Sequence, residues 1–273
     1  MKTTAVECHP TAVVHPGARL AEGVRVGPYA VIGGNVTLGR DTVVESQALV
    51  EGHTTLGERC RIFPFASIGL EPQDLKFKGE PSTLEIGDDN VFREFVTIHR
   101  GTAATGRTVI GNGNLFMAYV HVAHDCLVGN GTIFANGASL AGQVLVEDYA
   151  TICPFSGIHQ FCRIGTYAFI GAYTVVPQDV LPFSLTVGNR ARLYGVNTVG
   201  LLRRGFDRQR VRALRRAFRV LHQPKLNLSQ AIARLEADSP NEDVRRLIDF
   251  IRTSKRGVVS KRGREPREPD ALD

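Results

Sequence analysis

Residues 110–176 read IGNGNLFMAYVHVAHDCLVGNGTIFANGASLAGQVLVEDYATICPFSGIHQFCRIGTYAFIGAYTVV, and every sixth position of the stretch is Ile, Phe, Val or Leu. From Ile110 the frame runs through Phe116, Val122, Val128, Phe134, Leu140, Val146, Ile152, Ile158, Ile164 and Ile170 to Val176. Extended backwards it meets Ile98, Phe92 and Ile86, then an unbroken series from Ile68 to Val14. Of 28 frame positions between 14 and 176, 25 carry one of those four residues, in a chain only 43% hydrophobic, so chance does not supply the pattern. A period of six is neither helical nor the alternation of a single strand. It is the signature of a hexapeptide β-helix.

Two residues before the aliphatic position sits a mostly small side chain (Ala30, Ala48, Ala66, Cys126, Ala138, Cys162), and glycine often follows it (Gly27, Gly33, Gly129, Gly165). Each hexad therefore forms one short strand and one turn, with the aliphatic residue inside a prism. Three hexads close a triangular coil of about 18 residues, and coils stack at about 4.8 Å, so twenty-five hexads predict about eight coils. Periodicity leaves the handedness of the coil open; the general preference for right-handed crossovers points one way.

The frame fails at Asp74, Glu80 and Ala104, within LEPQDLKFKGEPST and GTAATGRT. Charged residues are costly in an apolar prism, so loops near 70–83 and 101–108 are expected to leave it, and loops are where function is usually carried. After Val176 the frame stops at Pro177 and Pro182. Helical spacing then appears in Val211, Leu214, Phe218 and Leu221, in Leu228, Ile232 and Leu235, and in Val244, Leu247, Ile248 and Ile251. The expected organisation is mainly β: a parallel β-helix over 1–188, a helical domain over 189–258 that caps its open end, and a disordered tail over 259–273.

Within 273 residues there is no apolar run of about 18 residues that would span a membrane. The N-terminus, MKTTAVECHP, lacks the apolar segment of a signal peptide. A cytoplasmic location is expected. The five cysteines form no CxxC pair and read as small buried thiols. The net charge of +6 is uneven: residues 1–188 sum to −5 and residues 189–273 to +11. Aromatic residues do not interleave with the C-terminal arginines, which disfavours nucleic acid and leaves phosphorylated ligands or an acidic carrier protein as partners.

The candidate chemistry lies in VHVAHDCLVGN, which places His121, His124 and Asp125 inside the repeat. Stacking by 18 residues puts Gly142 and Gln160 in the column of His124, with Gln143 and His159 beside it. An imidazole with a neighbouring carboxylate has the elements of a general base; the plainer alternative is that solenoid turns tolerate His and Asp. A zinc site of the kind found in hexapeptide-repeat carbonic anhydrases is a remote alternative, because those enzymes space paired histidines H-x4-H and these are three apart. A purely structural solenoid explains neither the loops nor the basic cap.

The strings TIHRGT, HVAHDC, IHQFC and GVNTVGLLRRGF, with QDLKFKGEP in the first loop, resemble the UDP-N-acetylglucosamine O-acyltransferases, which begin lipid A synthesis. The resemblance covers residues 10 to about 257. It implies a left-handed β-helix and a homotrimer with active sites between neighbouring solenoids. It implies that His124 takes the proton of the sugar 3-hydroxyl as that oxygen attacks the thioester of a 3-hydroxyacyl carrier protein, that Asp125 orients His124, and that the Gly142 N–H stabilises the oxyanion. Asp74 and Lys76 would contact the sugar nucleotide; His121, His159 and Gln160 would line the cleft; Asn197, Arg203 and Arg204 would bind UDP or phosphopantetheine. No cofactor or metal is implied, since phosphopantetheine arrives on the carrier. Four positions depart from the family pattern: Gln143 and Arg190 where histidine is usual, Val199 where glutamate is usual, and Ala172 where glycine often lies along the acyl groove. Gln143 also leaves open a 3-amino analogue of the sugar nucleotide as acceptor.

Overall fold

The computed structural model describes residues 5–260. The hexads form three parallel faces of a prism. The first runs from Glu7–Cys8 to Phe169–Ile170, the second from Val13–Val14 to Val175–Val176, and the third from Arg19–Leu20 to Arg163–Ile164. Within those limits the first and second faces hold nine strands each and the third eight, so the solenoid runs a little past eight coils; it starts at Glu7, one hexad before the apolar frame becomes visible. The prism is a left-handed parallel β-helix, as in the structurally similar proteins described below.

Frame residues fill the interior. Phe92, Phe116 and Phe134 are fully buried and stack on one another at centroid distances of 5.0 and 4.8 Å. A shift of one residue would turn every one of them outward, which is why register is strongly specified here. The third residue after the aliphatic position repeatedly has positive φ, as at Tyr29, Gln47, Phe65, Asp125 and Gln143. For residues with a Cβ this costs roughly 1 kcal/mol or more each. Hydrogen bonds to the turn of the preceding coil offset that cost, for example Gln47 N–H to Pro28 O and Gln143 N–H to His124 O, both 3.0 Å.

Strand register explains how the loops coexist with an unbroken frame. Partners are usually 18 residues apart, as in Leu115 with Ile133, but Arg61 pairs with Val91 and Val91 with Leu115. The loops therefore add two hexads and one hexad of length, and Asp74, Glu80 and Ala104 fall on the frame by spacing alone. Both loops leave the prism at the edge between the second and third faces, after Ser67–Leu70 and after Thr97–His99. The second loop ends at Gly106 rather than 108, because Arg107–Ile110 is a strand paired with Thr83–Ile86.

Residues 189–196, expected within the helical part, are instead largely sheet: Arg192–Val196 pairs antiparallel with Ser184–Val187 and closes the first face. Four helices follow: α1 (Thr198–Arg203), α2 (Arg208–Leu221), α3 (Leu228–Ala237) and α4 (Glu242–Arg252). The last three coincide with the helical spacing; α1 is too short to show one. Side chains of Asp207, Asn227 and Asn241 cap the last three helices. Leu228, placed on the apolar face by spacing, is 44% exposed because it opens its helix directly after the cap. The half-exposed Arg210 guanidinium grips the buried Asp243 carboxylate through two 2.8 Å hydrogen bonds, joining α2 to α4. Val259, expected in the disordered tail, is buried and donates its N–H to Asp179 O at 2.9 Å; residues 261–273 of that tail lie outside the described residues.

Among the described residues no helix is long and apolar enough to cross a membrane. Cys60, Cys126 and Cys162 are buried, and burial pushes the thiols of Cys126 and Cys162 up to about 12. Cys8 is exposed and Cys153 half-buried, contrary to the expectation for all five.

Candidate active site

His124 and Asp125 occupy the turn after the strand His121–Val122, at the same prism edge from which the two loops emerge. Asp125 has φ 61° and is buried, its side chain wholly shielded. Its Oδ2 lies 2.7 Å from His124 Nδ1. Oδ2 also accepts from Thr102 Oγ1 at 2.6 Å, while Oδ1 accepts from the Thr102 N–H at 3.0 Å and from Thr105 Oγ1. Burial pushes the Asp125 carboxyl up, but the hydrogen bonds from Thr102, Thr105 and His124 outweigh it and hold the group below the usual carboxylate range. An ionised Asp125 accepts a hydrogen bond from Nδ1–H, which leaves His124 Nε2 as the basic nitrogen. The His124 side chain is 18% exposed, so that nitrogen has access to solvent.

The column inferred from the repeat is real. A Cβ built on Gly142 would lie 2.6 Å from His124 Cε1 and 2.7 Å from Nε2, so the ring rests directly on the Gly142 backbone. The coil does not use the Gly142 N–H among the described residues: neighbouring turn bonds run from Ala141 N–H and Gln143 N–H. Pro28, Pro64 and Pro154 fill the same turn position elsewhere, so the fold does not require a donor there.

His121 stands on the second face, half-buried, with Nδ1 2.7 Å from Thr97 Oγ1. Burial and the nearby His124 lower its pKa. His99 packs edge-on against it at 5.3 Å and is held down to about 4 by burial and by His121. His159 and Gln160 are exposed at the same edge as His124; His159 Nδ1 is 3.2 Å from Gln160 O and 3.4 Å from Arg256 Nη2. Asp74 and Lys76 sit in the first loop, where Asp74 Oδ1 accepts the Lys76 N–H at 2.9 Å. Arg100 ties that loop down by donating to Gly69 O at 3.4 Å and Glu71 at 3.3 Å.

The remaining expected residues are elsewhere in the chain. Ala172 is exposed at the edge between the first and second faces, beside Tyr173. Arg190 is exposed in the turn before Ala191, whose N–H bonds Val175 O at the end of the second face. Asn197 is committed to structure: its Oδ1 caps α1 by accepting from Gly200 N–H, and its Nδ2 donates to Tyr167 O. Arg204 lies over the Tyr149 ring at 5.0 Å, at the edge between the third and first faces. Arg203 is exposed on the same helix. Among the described residues no group of three His, Cys, Asp or Glu is arranged to hold a metal ion.

Two curated relatives carry the name acyl-[acyl-carrier-protein]–UDP-N-acetylglucosamine O-acyltransferase. The one from Myxococcus xanthus is 51% identical over 93% of this chain and 99% of its own, and that from Thermodesulfovibrio yellowstonii is 48% identical over 92% and 98%. The chain belongs to the UDP-N-acetylglucosamine O-acyltransferase family. The family profile described as UDP N-acetylglucosamine O-acyltransferase domain 2 matches residues 179–259, and that of the bacterial transferase hexapeptide matches 17–52 and 107–142. Solved acyltransferases of this family are superposable: the Bacteroides fragilis protein has a TM-score of 0.90 at 42% identity over 92% of this chain and 99% of its own, and the Campylobacter jejuni protein 0.89 at 38% over 94% and 100%.

Sequence reading missed Thr102, Thr105, His99, Arg100 and Arg256. The threonines read as ordinary loop residues, and only the register, with one extra hexad at that edge, would have placed them under Asp125. Arg256 is 97 residues from His159, and no repeat relates the two.

Proposed function

We propose that the protein transfers a 3-hydroxyacyl chain from acyl carrier protein to the 3-hydroxyl of UDP-N-acetylglucosamine, in the first step of lipid A synthesis, with His124 as general base. The observation that carries this is the His124–Asp125 pair resting on Gly142, in a chain of this family. Nε2 of His124 takes the hydroxyl proton as the sugar oxygen attacks the thioester carbonyl. Asp125 stabilises the imidazolium that forms, and the unused Gly142 N–H donates to the oxyanion. When the tetrahedral intermediate collapses, the same proton passes to the departing phosphopantetheine thiolate.

Asp74 and Lys76 hold the sugar nucleotide from the loop beside the base; His121, His159, Gln160 and Gln143 line the cleft. Arg203 and Arg204 serve the phosphates of a neighbouring copy's site: they lie at a different prism edge from His124, so one chain alone does not assemble the full set, which supports a homotrimer with clefts between protomers. Asn197 acts by setting the start of α1. The enzyme works in the cytoplasm, needs no bound cofactor, and meets the acidic carrier on its basic C-terminal part. Purified protein offered 3-hydroxyacyl carrier protein should acylate UDP-N-acetylglucosamine in preference to its 3-amino analogue; preference for the amine would revive the reading based on Gln143.

A further inference from the structure

A β-solenoid gains nothing in stability from an extruded loop, yet the one-hexad loop at 101–106 is tightly built. A Cβ on Gly101 would lie 2.3 Å from the Arg107 nitrogen, so the two ends of the loop touch, and Gly106 N–H closes on Thr102 O at 2.7 Å. Inside this small ring the donors converge on one acceptor, the Asp125 carboxylate. Thr102 Oγ1 accepts from Ala104 N–H at 3.2 Å, which directs the threonine's own single proton toward Asp125 Oδ2. Thr105 Oγ1 accepts the Arg107 N–H at 3.5 Å and faces two acceptors, Asp125 Oδ1 and, at 3.0 Å, Arg107 O, so it ties the end of the loop to the carboxylate. On its outer side the loop donates Ala103 N–H to Glu80 Oε1 at 3.1 Å, and Glu80 belongs to the loop that carries Asp74 and Lys76.

We infer that loop 101–106 is a brace for the acid–base pair: Thr102 and Thr105 are positioning residues that fix the Asp125 carboxylate and, through it, the ring orientation and tautomer of His124, and Ala103 with Glu80 ties that geometry to the sugar-binding loop. The inference rests on the reading of His124 as base. The groups facing Asp125 divide cleanly: His124 alone is a titratable donor to it, and all other hydrogen bonds to the carboxylate come from this loop. Hydrogen bonds to a charged group are the strong class, and a carboxylate that loses one of them swings or takes up a proton.

The test is steady-state kinetics on the full-length enzyme with Thr105→Val, Thr105→Ser, Thr102→Val and Thr102→Ser, each alone and in a His124→Ala background. Thr105 is exposed, so its valine variant retains the fold; the buried Thr102 is the second site. The valine variants should lower kcat by about tenfold or more with the KM of both substrates within about twofold, and serine should restore most of the loss. In the His124→Ala background the valine substitutions should have no further effect, because they act through that ring. Unchanged kcat in both valine variants, or an undiminished effect without the histidine, would overturn the inference. Near-normal turnover of His124→Ala alone would instead overturn the reading of the base, so the two failures are told apart.

Discussion

The imidazole of His124 lies on the backbone of Gly142 with no room for a side chain between them: a Cβ would stand 2.6 Å from Cε1. The solenoid thus sets the His124 ring by stacking, one coil supplying the imidazole and the next supplying a flat floor. Gly142→Ala should push the ring off Asp125 while leaving the coil intact, since Gly142 is not held at positive φ. kcat should fall by about a hundredfold, in the range associated with losing a positioned general base, with Tm changed by only a few degrees. Unaltered kcat would show that the ring does not need that contact.

The depressed pKa of His99 makes stability depend on pH. Burial, His121, His124 and Arg100 lower it to about 4, with a hydrogen bond from the ring to the Glu71 backbone acting the other way. Between about 6.5 and about 4 the unfolded chain binds a proton at this position and the native chain does not, so stability falls as pH falls through that window. His99→Gln should flatten the slope of ΔG of unfolding over pH 4–6.5, measured by urea melts. An unchanged slope would assign the dependence to other groups.

Carrier docking on the basic part should be electrostatic. Arg212 and Arg216 are exposed on α2 within a segment of net charge +11, and exposed charges interact over a Debye length of about 8 Å at physiological salt. KM for acyl carrier protein should rise with ionic strength, and Arg212→Glu or Arg216→Glu should raise it further at low salt while leaving KM for the sugar nucleotide in place. A salt-independent KM for the carrier would contradict docking by charge.

A role for Ala172 in choosing the acyl donor is testable by donor length. The residue is exposed beside Tyr173, across the second face from His124, and the intervening Gly157 has open space where a side chain would stand. If the acyl chain of the proposed reaction runs along this face to Ala172, its methyl group should shorten the chain accepted, because overpacking costs about 1–3 kcal/mol. Ala172→Gly should shift preference toward a longer hydroxyacyl donor in competition assays with donors of graded length. The same preference in both enzymes would remove Ala172 as the cause.

The fold was legible because a prism interior tolerates only aliphatic and aromatic residues at one position in six, and Val14 to Val176 records that rule almost without exception. The His124–Gly142–Gln160 column followed from the same arithmetic. What was not legible has specific reasons. Cys8 precedes the apolar frame, so the first hexad was invisible, and the Ser184–Val196 hairpin is too short and mixed to declare itself. Val259 looked like tail because its partner Asp179 is distant in sequence. Thr102 and Thr105 carry no signal of their own, since any loop holds threonines; their meaning comes from the register that sets them beneath Asp125.

The most direct measurement is turnover of UDP-N-acetylglucosamine and 3-hydroxyacyl carrier protein by the native enzyme and by His124→Ala, with the oligomeric state of both recorded. The native protein should form the 3-O-acyl sugar nucleotide, and the variant, assembled like the native, should lose about 10²-fold to 10⁴-fold in kcat. Near-native turnover by the variant would contradict the assignment of His124 as base.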